Sequence, residues 1–202
     1  MRRFEIDIFY FVSRAAILLA LPLFISDVGL YHEYARNLIE HGRWPYAHFD
    51  FEYPPLAFPL MLIPGWLHQL FGFQDTESYR LLFAVTLLPF DFLLFLKFRT
   101  RSPFPGAAFL YVLLSSALCL LLFDRFDIAV GFLLAWPFLG GASDLGFAFF
   151  WGVGGALKLV PLAVAPARLL DWKFSRGGKF LRSLCFFLLL FTPFFLSCAL
   201  GL

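Results

Sequence analysis

The stretch FPGAAFLYVLLSSALCLLLF, residues 104–123, contains no charged residue and is apolar on every side that a helix would present. Its length matches the ~20 residues a helix needs to cross a ~30 Å hydrocarbon layer. A membrane barrel strand would alternate apolar and polar side chains over about ten positions, and this stretch does not, so it reads as a helix. Further apolar runs occupy residues 8–25, 56–71, 81–96, 128–139, 145–165 and 184–200. The chain as a whole is 61% hydrophobic and 15% charged, with a mean hydropathy of +0.80, outside the range of ordinary soluble domains. The expected fold class is therefore all-α: a polytopic integral membrane protein of about seven apolar helical segments, forming one domain over residues 1–202.

Two runs are not simple spans. Residues 56–71 carry Pro59 and Pro64, and residues 128–139 are short. The first run is not followed by a cleavage-like site, since Ser26 and Asp27 come directly after it, and it reads as a retained span with Arg14 snorkelling toward Arg2 and Arg3. A net charge of +2 with no basic run interleaved with aromatics excludes a nucleic-acid binder. Cys119, Cys185 and Cys198 lie inside apolar runs without C-x-x-C spacing and read as small buried hydrophobes. The four histidines show neither H-E-x-x-H nor an i, i+4 pair, so no metal and no cofactor are expected.

Two polar stretches set the sidedness. Residues 26–53 hold Asp27, Glu33, Glu40, Asp50 and Glu52 against Arg36 and Arg43, whereas residues 168–182 are dominated by Arg and Lys. The positive-inside rule places the first outside and the second, with the N-terminus, in the cytoplasm. Lys97, Arg99 and Arg101 also belong in the cytoplasm, which conflicts with one crossing per run. The conflict disappears if residues 56–71 dip in and return on the outer side, with one later segment also failing to cross.

From Ser26 onward the periodicity becomes helical. Leu30, Tyr31, Tyr34, Leu38 and Ile39 share one face, with His32, Glu33, Arg36 and Glu40 off it. This is an amphipathic helix of about four turns lying along the membrane surface, capped by Ser26 or Asp27 and closed by Gly42. Asp27 is then either a simple cap or an available carboxylate at the water boundary. Trp44, Tyr46 and Tyr53 suit either an interfacial belt or a sugar-stacking surface.

The order Asp27, Tyr31, Ala35, Gly42, Pro45, Tyr46, Tyr53, Pro54, Pro55 and Pro64 resembles the first outer loop of GT-C glycosyltransferases, enzymes that use a polyprenyl-phosphate sugar. The likeness is nearest to the family 87 mannosyltransferases. FDRFD at 123–127 and GALKLVPLAVAP at 155–166 agree with it. The likeness runs from residue 8 to residue 166, and since such enzymes usually continue for several more spans, the chain reads as an N-terminal or minimal membrane module. The resemblance implies inverting transfer of a hexose, mannose by family, from a polyprenyl-phosphate donor to a lipid or glycan acceptor at the outer face of the plasma membrane. It makes Asp27 the catalytic base, Lys158 and Arg125 the partners of the donor phosphate, and Tyr31, Tyr46, Glu52, Tyr53, Asp124 and Asp127 the substrate contacts. Asp124 and Asp127 alternatively pair with Arg125 or cap the following helix. No nucleotide-binding G-x-G-x-x-G or P-loop is present, and Gly152, Gly154 and Gly155 read as helix-packing positions. Two rival functions remain at the level of sequence: a non-catalytic membrane subunit or lipid-binding fragment of such an enzyme, and a transporter with Arg14, Asp127 and Lys158 along its path.

Overall fold

The computed structural model describes residues 3–21, 26–102, 104–140 and 143–158. The basic stretch 168–182, the run 184–200 and the part of 155–166 beyond Lys158 lie outside the described residues. Among the described residues every regular element is a helix: α1 (Arg3–Ala20), α2 (Val28–Ile39), α3 (Ala57–Leu70), α4 (Thr76–Arg101), α5 (Ala107–Ala117), α6 (Cys119–Phe123), α7 (Asp127–Gly140) and α8 (Asp144–Leu157). One of them, α4, is long and apolar enough to cross a membrane. It is also the hub of the fold, packing against α2, α3, α5, α6 and α7.

Side-chain contacts fix the directions. Asp7 meets Arg99 at 2.7 Å and Tyr10 stacks on Phe95 at 4.2 Å, so α1 runs antiparallel to α4. Phe132 meets Phe90 and Lys97 lies 4.2 Å from the Trp136 ring, so α7 descends alongside α4. In α8, Trp151 Nε1 donates to the Leu134 carbonyl and Lys158 reaches Asp127, which brings α8 back up beside α7. Residues 97–102 thus share one end of the bundle with the start of α1, while the 123–127 turn, Ser26 and Lys158 share the other, here the upper end. The sharing of one end by residues 97–102 and the N-terminus removes the charge conflict met in the sequence.

It removes it by a different route from the one expected. Residues 57–70 do not dip and return; α3 is one continuous helix. Pro59 sits in its first turn, where the amide has no helical partner to lose, and Pro64 is tolerated within it. This helix stays at the upper end because it lies on α2 and on the first turns of α4, with the Tyr79 hydroxyl donating to the Met61 carbonyl at 2.9 Å. Among the described residues α7 and α8 run antiparallel to each other.

Two further expectations are corrected. Residues 104–123 are not one helix but break at Leu118, whose φ of −97° and ψ of 31° leave the helical region. The cause lies one turn earlier, where Ser115 and Ser116 hydroxyls bond back to the Tyr111 and Val112 carbonyls while accepting from Arg14. Arg14 itself does not snorkel. It is 3% exposed and forms a two-pronged pair with Asp91, Nε to Oδ2 at 2.8 Å and Nη2 to Oδ1 at 2.9 Å. Tyr10 and Tyr111 hydroxyls donate to the same carboxylate at 2.8 and 2.5 Å. A carboxylate bound by four donors is stable in an apolar interior, where an unpaired one would not be.

Candidate functional site

The FDRFD turn builds the site because its two aromatic residues are anchored. Phe123 and Phe126 are fully buried, which sends the three charged side chains between and after them in separate directions. Asp124 turns inward to 5% exposure, accepts from the Ser26 hydroxyl at 2.6 Å and from Arg80 Nε at 3.0 Å, and is in ion-pair contact with Arg80 Nη2 at 2.8 Å. Arg125 turns outward and donates from Nη2 to Asp27 Oδ2 at 2.7 Å. Asp127 opens α7 and accepts from Lys158 Nζ. One five-residue turn therefore ties together the start of α2, the first turns of α4 and the end of α8.

Asp27 occupies the cap position of α2, but its side chain makes no cap hydrogen bond. The capping oxygen is that of Ser26, which accepts from the Val28 amide at 3.0 Å. Freed from that duty, the Asp27 carboxylate is half exposed and its visible partner is Arg125, also half exposed. Lys158 is not in the middle of a helix, as the long apolar run implied; α8 closes at Leu157, and Lys158 is the extended residue after it, with its ammonium 6.0 Å from the Phe126 ring. Arg125 pairs with Asp27 rather than with Asp124 or Asp127, and each of those acids has its own cation.

The tyrosines line the same end. Tyr31 is buried between Phe83, Phe126 and Tyr53, and its hydroxyl lies 3.4 Å from that of Tyr53. Burial, followed by the hydrogen bond with Tyr53, raises the Tyr31 pKa, so this phenol is a neutral donor and not a base. Tyr46 adopts φ of +64°, the left-handed region that a bulky side chain rarely enters. The turn holds it there: its amide donates to the Phe49 carbonyl at 3.0 Å and its hydroxyl to the Tyr53 carbonyl. Tyr46 thus braces the loop that presents Tyr53. Glu52 is exposed on the surface of that loop. The loop docks through Phe49 and Phe51 on Tyr34, and through the Leu56 amide on the Ala156 carbonyl at 3.0 Å.

The structure thus brings Asp27, Arg125, Asp124, Asp127, Lys158, Tyr31 and Tyr53 to one end. Sequence reasoning missed Arg80, and it read Ser26 only as a candidate cap of α2, a role Ser26 fills while also donating to Asp124. Arg80 had a legible signal, since a cation at the start of an apolar run is costly unless it serves something, the same reasoning that singled out Lys158. Among the described residues no group of three or more His, Cys, Asp or Glu is arranged to hold a metal ion. Comparison of the chain with protein-family models, with curated proteins and with solved structures gives no match.

Proposed function

We propose that the chain is a polytopic membrane glycosyltransferase of the GT-C kind, transferring a hexose, mannose by resemblance, from a polyprenyl-phosphate donor to an acceptor at the outer surface. The observation that carries this reading is the Asp27 carboxylate, which is released from capping, half exposed, and aimed at Arg125 in a site that also gathers Lys158, Tyr31 and Tyr53. In a single displacement the acceptor oxygen forms its bond to the anomeric carbon as the bond from that carbon to the phosphate oxygen breaks. The acceptor proton passes to Asp27, and the charge left on the polyprenyl phosphate is met by Arg125 and Lys158. Both cations sit against carboxylates, so phosphate oxygens replace Asp27 and Asp127 as their partners, and the same exchange frees Asp27 to take the proton.

The membrane reading is supported by an inverted pattern of polarity. Phe4, Leu19 and Phe104 are 72%, 82% and 74% exposed, while Arg14, Asp91, Arg80 and Asp124 are buried. In water that arrangement would be costly; in lipid it is the expected one. The helices α1, α4, α5 with α6, α7 and α8 then cross, α2 and α3 rest on the outer surface, and Lys97, Arg99 and Arg101 face the cytoplasm. A groove of about 540 Å³ between α1 and α4, walled by Phe11, Leu18, Val85 and Phe92, leads toward Leu81 and Arg80 and offers a bed for a hydrocarbon chain.

The test is the donor. Membranes holding the full chain are supplied with labelled hexose either as the polyprenyl phosphate or as a nucleotide sugar, in the presence of lipid and glycan acceptors. Transfer from the lipid donor alone is expected. Transfer from the nucleotide sugar after extraction of endogenous polyprenyl phosphate would contradict the proposal.

A further inference from the structure

The face of α2 opposite the site carries a buried histidine that the sequence pattern had placed on the polar side. His32 is 6% exposed because α3 covers that side, and against it lies His68 of α3, 7% exposed, with ring centroids 4.6 Å apart at 71°. Tyr79 of α4 stacks on His32 at 4.5 Å and 18°. The His32 Nδ1 lies 3.4 Å from the Thr76 hydroxyl, and His68 Nε2 lies 2.8 Å from the Asp75 carbonyl. A carbonyl only accepts, so His68 Nε2 carries a hydrogen. The two imidazoles thus sit where α2, α3 and the start of α4 meet, and they form the back wall of a small cavity edged by Arg36, Glu40, Gln69 and Gln74.

We infer that the His32–His68 pair is a proton-sensitive latch: neutral, it holds α2 on α3 and α4, and protonation of His32 releases α2 and, with it, Asp27 and Tyr31. The charges around His32 argue for release over accommodation. On its own helix, Arg36 would repel an imidazolium, and both oxygens of Glu40 are already taken by Arg36 at 2.9 Å. From α3 comes only His68, a second base. From the start of α4, the Asp75 carboxylate is engaged by the Ser78 amide and hydroxyl at 2.7 and 2.8 Å. Glu33, His41 and Arg43 line the open outer flank beside His32. No nearby carboxylate is thus free on the inner side to meet a new positive charge.

Burial first, then His68 and Arg36, push the His32 pKa down to about 4 from the usual 6.5, outweighing the smaller attraction of Glu40 and Asp75. The sign follows from that direction. A base whose folded pKa lies below its unfolded value stabilises the folded form fully above pH 6.5, and that contribution is lost as pH falls toward 4. The latch does not depend on the reaction proposed above; only its consequence for catalysis rests on that reading.

Hydrogen exchange of the α2 amides in the full chain in detergent, corrected for the intrinsic rate at each pH, tests it without an activity readout. Between pH 7 and pH 4.5 the protection of residues 28–39 should fall by more than about tenfold, while that of α4 and α7 holds. His32→Phe, which keeps the stacked ring and cannot take a proton, should retain its protection at pH 4.5. Where His32→Phe does not assemble, His32→Asn serves the same purpose. Unchanged protection in the wild type, an equal loss in the unprotonatable variant, or loss through α4 at the same pH would each overturn the latch.

Discussion

Asp27 and Asp91 are both acids paired with arginines, and their surroundings separate their roles. Asp91 is wholly buried and bound by four donors, so it has no capacity left for chemistry, and its removal leaves Arg14 uncompensated in an apolar interior. Asp91→Ala should destabilise the chain by about 3–5 kcal/mol, read as a large fall in thermal midpoint in detergent. Asp27, half exposed and bound by one cation, contributes little to stability, as exposed pairs do. Asp27→Asn should therefore leave the thermal midpoint within about a degree while removing transfer. Lys158→Ala should mainly weaken use of the donor, raising its KM while kcat changes less, because in the proposed reaction the ammonium at the end of α8 meets the phosphate and not the acceptor. A normal KM in that variant would remove Lys158 from the donor site. Much of this residue-level picture is legible in the sequence: Asp27 and Arg125 stand out as charges at the edges of apolar runs, and Lys158 as a cation within one. Arg80 and Asp91 do not reveal their partners, because Asp124 and Arg14 lie 44 and 77 positions away.

At the scale of elements, the amphipathic helix after the first run is readable from its spacing, and it forms over Val28–Ile39. Its surroundings are not readable. One helical face predicts one buried stripe, yet Val28, Tyr31, His32, Tyr34 and Ala35 are all buried, since α3 and α4 enclose α2 from two sides. The close approach is made at Gly65, where an added Cβ would lie 2.9 Å from the Ala35 Cβ and 2.8 Å from Ile39 Cδ1. The Ile39 tip can move, but the Ala35 methyl is fixed to the backbone. Gly65→Ala should thus push α2 off α3 and cost about 1–3 kcal/mol, with faster hydrogen exchange in α2 than in α7. Equal exchange in wild type and variant would show that the two helices are not in register at Gly65. The continuity of α3 through Pro64 and the break of α5 at Leu118 escape propensity for the same reason: each is decided by contacts from other helices.

Considered whole, the molecule places its acidic stretch 26–53, its FDRFD turn and Lys158 at one end and the Asp7–Arg99 pair with Lys97 at the other. Cysteine labelling in sealed vesicles should find positions 48 and 125 on the same side and position 101 on the opposite side; labelling of all three from one side would contradict the arrangement. The central claim is that the upper end is a lipid-linked sugar transferase whose base is Asp27. Its most direct test is transfer from radiolabelled polyprenyl-phosphate mannose in membranes holding the wild-type chain or Asp27→Asn at equal levels of folded, inserted protein. The account predicts label in the acceptor with the wild type and none above background with Asp27→Asn. Equal transfer by the two chains would remove Asp27 from the chemistry, and transfer by neither would contradict the assignment of this activity to the chain.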